Sequence, residues 1–149
     1  MENTFMAEAL RLAKIAYGNG DVPVGCVVVL NGEIVGRGYN KREKDTSVSA
    51  HAEIVAMEDA CKSVNSWHLS DCELYVTLEP CPMCAGAIIN SRIKKVYYGT
   101  KDEHMGACGS VINLFEEGFG HHPAVYGGIM KEECLELLQS FFKALRTKS

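Results

Sequence analysis

Glu73-Leu74-Tyr75-Val76-Thr77-Leu78-Glu79-Pro80-Cys81-Pro82-Met83-Cys84-Ala85-Gly86-Ala87-Ile88-Ile89-Asn90 is the stretch on which the fold turns. Residues 73–78 are a short apolar run, read as a strand covered on both faces. Pro82 suits the first position of a helix, so 82–90 reads as a short helix with Cys81 just before it. Residues 93–99 return to a strand pattern. A strand, a helix and a strand in close succession point to an α/β domain.

The flanks extend this pattern. Phe5, Ala9, Leu12 and Ala16 recur at helical spacing, which predicts a helix over 4–17, ended by Gly18-Asn19-Gly20. Val22 to Leu30 is rich in valine and reads as a strand. Asn31-Gly32 is a strong hairpin signal, and 33–39 is the returning strand. Residues 40–50 are polar and read as a loop. Ile54, Met57, Cys61 and Val64 mark a second helix. After a glycine-containing loop over 100–110, residues 124–129 suggest a fifth strand. Cys134, Leu138, Phe141 and Leu145 form the apolar face of a closing helix. The order implies a mixed five-stranded sheet between helical layers, a three-layer α/β/α fold.

Composition sets bounds. The chain has 149 residues, 47% hydrophobic, enough for one domain spanning 1–149. Its start carries Glu2 and Glu8 and lacks the apolar core of a signal peptide. No run approaches the roughly 18 apolar residues of a membrane span. Both features predict a cytoplasmic protein with no membrane partner. The net charge of −4 argues against broad, nonspecific nucleic-acid binding but leaves room for a local basic patch. Seven cysteines in such a chain are expected to be thiols. Five of them read as small buried apolar residues.

Cys81 and Cys84 stand apart because three residues separate them at a helix start, on one side of its first turn. His51-Ala52-Glu53 opens the second helix. Zinc takes imidazole and thiolate ligands, and catalytic sites commonly use three, keeping a fourth position for water. His51, Cys81 and Cys84 are the candidate ligands. His51 and Glu53 are two apart, about 200° on a regular helix, nearly opposite faces. Both face one metal only if His51 sits at the helix cap. Two helix N-termini then point at the metal, favouring thiolates. Glu53 suits a proton shuttle better than a ligand. A closed structural zinc site is the competing reading, with His104, Cys108, His121 or His122 as fourth ligand. A redox pair of cysteines is another.

Taken together, His51-x-Glu53 and Pro80-Cys81-x-x-Cys84 resemble the signature of the cytidine and deoxycytidylate deaminase superfamily. Within it, the chain is similar to the bacterial deaminases acting on adenosine in tRNA. Asp21-Val22-Pro23-Val24-Gly25, Gly38-Tyr39-Asn40, Thr77-Leu78-Glu79-Pro80-Cys81, Gly106-Ala107-Cys108-Gly109-Ser110 and His121-His122-Pro123 carry that likeness along nearly the whole chain. The resemblance implies a cytidine-deaminase-like fold, a homodimer, one Zn²⁺ per chain and conversion of adenosine to inosine at the wobble position (34) of a tRNA anticodon stem-loop. It implies substrate contacts from Asn40, Ala52 and Asp102. Two departures stand out. Thr46-Ser47-Val48-Ser49 lacks the proline frequent in relatives, and Glu103-His104-Met105 replaces frequent Lys or Thr residues. Arg92, Lys94, Lys95, Lys143, Arg146 and Lys148 are candidates for a basic rim. The rival readings are a free nucleobase or nucleoside deaminase (guanine, cytosine or cytidine) and a non-catalytic zinc-stabilised RNA-binding module.

Overall fold

A computed structural model describes residues 3–147. Met1, Glu2, Ser149 and the rim candidate Lys148 lie outside the described residues. Helix α1 (Thr4–Gly18) starts at Asn3, whose side chain accepts a hydrogen bond from the Met6 amide at 2.9 Å. The hairpin of β1 (Gly25–Leu30) and β2 (Glu33–Tyr39) follows. Its turn places Asn31 at φ 51° and Gly32 at φ 80°, the left-handed pair that an Asn-Gly turn supplies. Then come α2 (Ala52–Val64), β3 (Cys72–Leu78), α3 (Pro82–Ser91), β4 (Lys95–Thr100), β5 (Ala124–Tyr126) and α4 (Lys131–Thr147).

The sheet order is β2-β1-β3-β4-β5. β1 pairs antiparallel with β2 and β3, whereas β3, β4 and β5 run parallel. The mixed sheet follows from the connections: a two-residue turn returns antiparallel, and a helical crossover returns parallel.

Alternation along β1 divides the core into two layers. Cys26 and Val28 face α2 and α3, packing with Ala56, Met57, Ile88 and Val96. Val27 and Val29 face the other way, with Met6, Ala9 and Leu10 of α1 and Cys134 of α4. The three-layer α/β/α architecture is therefore as expected.

Three details differ from the sequence reading. Residues 22–24 are not strand: the Val24 amide bonds back to the Val22 carbonyl, a tight turn that delays β1 until Gly25. β5 is three residues long: the parallel ladder ends at Tyr126, and the chain turns at Gly128 (φ 85°), where the Gly128 and Ile129 amides bond the Gly99 and Tyr98 carbonyls of β4. Leu145 is exposed, and the buried face of α4 is Cys134, Leu138 and Phe141.

Candidate active site

The site lies where β3 and β4 end and α2 and α3 begin. His51 is the N-cap of α2, in extended conformation (φ −70°, ψ 151°), so its ring leaves the helix path and points the same way as Glu53. Cys81 occupies the same position on α3, with Pro82 in the first turn. Each cap lacks a side-chain hydrogen bond to its own helix, leaving imidazole and thiol directed elsewhere.

They are directed at each other. His51 Nδ1 lies 3.5 Å from Cys81 Sγ and 3.5 Å from Cys84 Sγ. Tetrahedral zinc, with bonds of roughly 2.3 Å to sulfur and 2.1 Å to nitrogen, separates such ligand atoms by about 3.6 Å. Both nitrogen-to-sulfur distances thus already match the edge of a zinc tetrahedron, and the three atoms all lie within 4.8 Å of one another. No other such group of three or more His, Cys, Asp or Glu donors occurs among the described residues, and none of the four residues considered as a closing ligand joins this one. His121 and His122 instead place ring nitrogens on the carbonyls of Ile93 (2.7 Å) and Phe115 (2.6 Å). Cys108 is buried beside Glu79, and His104 stands on the cavity wall.

The electrostatics suit a divalent cation. Hydrogen bonds from Cys84 and His51 hold the Cys81 thiol down at about 4, while the contact with Cys81 pushes Cys84 up. The bond to Cys81 raises His51. A cation stabilises both sulfurs as thiolates and the ring as neutral imidazole. Glu53 is 4% exposed, and burial lifts its carboxyl to about 7. A carboxyl poised near neutrality is suited to accept and return a proton.

A cavity of about 690 Å³ opens over this cluster. Asn40, His51, Ala52, Glu53, Cys81 and Asp102 all line it. The Asn40 side chain is partly engaged: Nδ2 donates to the Val22 carbonyl (3.1 Å) and Oδ1 accepts from the Arg42 amide (3.1 Å). A primary amide has one further hydrogen and one further lone pair to offer. Asp102 Oδ1 accepts from the His104 and Met105 amides, each at 3.0 Å, folding its loop into a turn. Three basic-rim candidates lie elsewhere. Lys95 pairs with Glu73 at the opposite end of the parallel strands, about 17 Å along β4 from Thr100. Arg92 and Lys94 adjoin it, and Arg92 Nη1 donates to the Ile89 carbonyl at the end of α3. The cations that line the cavity are Arg42 and Lys101.

Sequence reasoning missed that α4 walls the cavity, where Leu135 and Phe142 flank Leu138 of the core-facing stripe. It also missed two buried carboxylates. Asp21 is 1% exposed and accepts from the Glu43 (2.7 Å) and Lys44 (3.3 Å) amides. Glu79 is 2% exposed and binds the loop after β4. Glu79 adjoins Pro80 and Asp21 stands two residues before Pro23, which is all the local sequence offers.

Residues 1–100 match the model of the cytidine and deoxycytidylate deaminase zinc-binding region, and the chain belongs to that family of zinc-binding deaminases. It is 46% identical to the tRNA-specific adenosine deaminase of Bacillus subtilis (strain 168), over 99% of this chain and 92% of that one. It is 44% identical to the enzyme of the same name from Aquifex aeolicus (strain VF5), over 95% of this chain and 94% of that one. A solved structure from work on A-to-I editing by tRNA:A34 deaminases at the wobble position superposes with TM-score 0.88 at 40% identity, covering 92% of this chain and all of that one. The guanine deaminase of Bacillus subtilis superposes less fully, with TM-score 0.63 at 39% identity over 68% of this chain and 66% of that one.

Proposed function

We propose that this chain is a single-domain hydrolytic deaminase, 1–149, that converts adenosine to inosine at wobble position 34 of a tRNA anticodon. The observation that carries the reading is the three-donor cluster of His51, Cys81 and Cys84 beside buried Glu53, on the floor of a cavity. Near full-length likeness to tRNA-specific adenosine deaminases supports the substrate.

His51, Cys81 and Cys84 hold one zinc ion per chain. Zinc supplies Lewis acidity that makes water nucleophilic near neutral pH. Glu53 takes one proton from the attacking water and delivers it to the purine ring nitrogen, then moves the remaining proton from the new C6 hydroxyl to the departing amino group, so that the C6–N bond breaks, ammonia leaves and a carbonyl remains at C6. Asn40 orients the base with its free amide hydrogen and lone pair. Ala52 lies at the cavity floor, and Asp102 meets the ribose side. Leu138 and Phe142 keep bulk water from the base. Unstacking a base is least costly in a loop, which favours an anticodon over a duplex. We further read the protein as a cytoplasmic homodimer. No helix among the described residues is long and apolar enough to cross a membrane.

The test offers the purified protein an anticodon stem-loop carrying adenosine at position 34, and separately guanine, cytosine and cytidine. Inosine in the RNA is expected. Turnover of free bases or cytidine, with inert RNA, supports the nucleobase deaminase instead. A protein inert on all substrates with zinc bound by four side chains supports the non-catalytic module.

A further inference from the structure

The two cavity walls come from segments distant in sequence, and one of them gathers four of its hydrogen bonds on a single side chain. Glu79 follows β3 and precedes Cys81 by two residues. Its Oε1 accepts from the Asp102 amide at 3.2 Å and from the Ser110 hydroxyl. Its Oε2 accepts from the Cys108 amide at 3.0 Å and the Ser110 amide at 3.1 Å. The main chain adds two bonds: the Glu79 amide to the Thr100 carbonyl and the Ala107 amide to the Pro80 carbonyl, both 2.9 Å. Between these anchors run Lys101, Asp102, Glu103, His104 and Met105, all on the cavity. That segment has no helix or strand to fix it. Gly106 closes over the carboxylate so tightly that a Cβ there would come within 2.5 Å of Glu79 Oε2.

We propose that Glu79 is a positioning residue that sets the Lys101–Met105 wall, and with it Asp102, against the substrate's flanking sugar and phosphate. A buried carboxylate with four donors around it is well satisfied. A glutamine there offers one acceptor oxygen and an NH₂ group, which faces donors and cannot accept from them. The wall then loosens while β3, Cys81 and Cys84 keep their places. The substrate part rests on the function proposed above, whereas the ordering of the loop does not.

The experiment compares Glu79→Gln and Gly106→Ala with wild type, as full-length zinc-loaded protein. Three quantities are read: zinc content, kcat and KM on the anticodon stem-loop, and amide hydrogen exchange at Asp102, Cys108 and Ser110. The expected result for both variants is unchanged zinc, KM raised about tenfold with a much smaller fall in kcat, and at least about tenfold faster exchange at the three amides. Unchanged exchange overturns the proposal. So does zinc loss with kcat falling in step, which would make Glu79 a scaffold for Cys81. If wild type does not act on the RNA, the proposed function fails, and exchange alone still decides whether Glu79 holds the loop.

Discussion

Gly38 of β2 lies against the carbonyl of Ala52 so closely that a Cβ would stand 2.4 Å from that oxygen. It would also meet the Ala56 amide at 2.5 Å. Ala52, Ala56 and Ala60 are wholly buried against the sheet. Small residues on both sides let α2 seat deeply, and that depth sets where His51 and Glu53 emerge. Gly38→Ala forces backbone apart, since nothing flexible stands in the way. The expected cost is about 2–4 kcal/mol of stability, with weakened zinc binding. Denaturant midpoint and metal content check it, and a variant equal to wild type in both would remove Gly38 from the account.

Glu53→Gln should abolish turnover and spare the metal. Glu53 belongs to no ligand group, and burial already disfavours its charge. The amide keeps shape but cannot carry a proton. The expected loss is at least about 10²-fold in kcat, with normal zinc and a melting temperature no lower than wild type. Measurable turnover near the wild-type rate would refute the assignment.

Loss of a proposed ligand should behave differently. Cys84 is fully buried, and His51 and Cys81 cap two separate helices. Cys84→Ser and His51→Ala are each expected to lose zinc and activity together, with a lower melting temperature. Elemental analysis beside calorimetry tests this. Full zinc retention in either variant would mean that another side chain completes the site.

Acid stability has a separate source on α1. Glu8 accepts from Arg11 Nε at 2.6 Å and from Arg37 Nε at 2.8 Å. The Arg11 hydrogen bond, with Arg37 beyond it, lowers the Glu8 carboxyl from 4.5 to about 2. A depressed carboxyl stabilises the fold above its unfolded pKa and ceases to do so as pH falls through the folded value. The contribution should be whole above about pH 5 and fade towards pH 2. Because the arginines are half exposed, it amounts to less than about 1 kcal/mol. The melting-temperature gap between wild type and Glu8→Gln should narrow over that window. A gap that stays constant would assign the effect to packing.

Much of the fold was legible because its signals are local. Pro82 announced α3, Asn31-Gly32 the hairpin, and the angular separation of His51 and Glu53 placed His51 at the α2 cap, where it is. The trio could be nominated because two helix starts each carry a candidate ligand at the same position. What was not legible depends on distant partners. Asp21 meets amides 22 and 23 residues onward, and Glu79 meets amides up to 31 onward. Both look like surface acids in the sequence. Lys95 looked like a rim residue until the parallel register put it at the other end of β4. Leu145 followed the helical period but lies in the last turn of α4 and stays exposed.

Both outer strands of the sheet are poor templates for another chain. β5 offers three residues. On β2 the outward amide of Arg37 is occupied by Asp59 Oδ2 at 2.9 Å, and the register shifts opposite Val28 and Val29. Charged Glu33 and Arg37 line the same strand. Such edges resist strand addition and the aggregation that begins with it. Growth of the sheet by pairing with another chain is therefore disfavoured at either edge, and the five strands stay a closed interior.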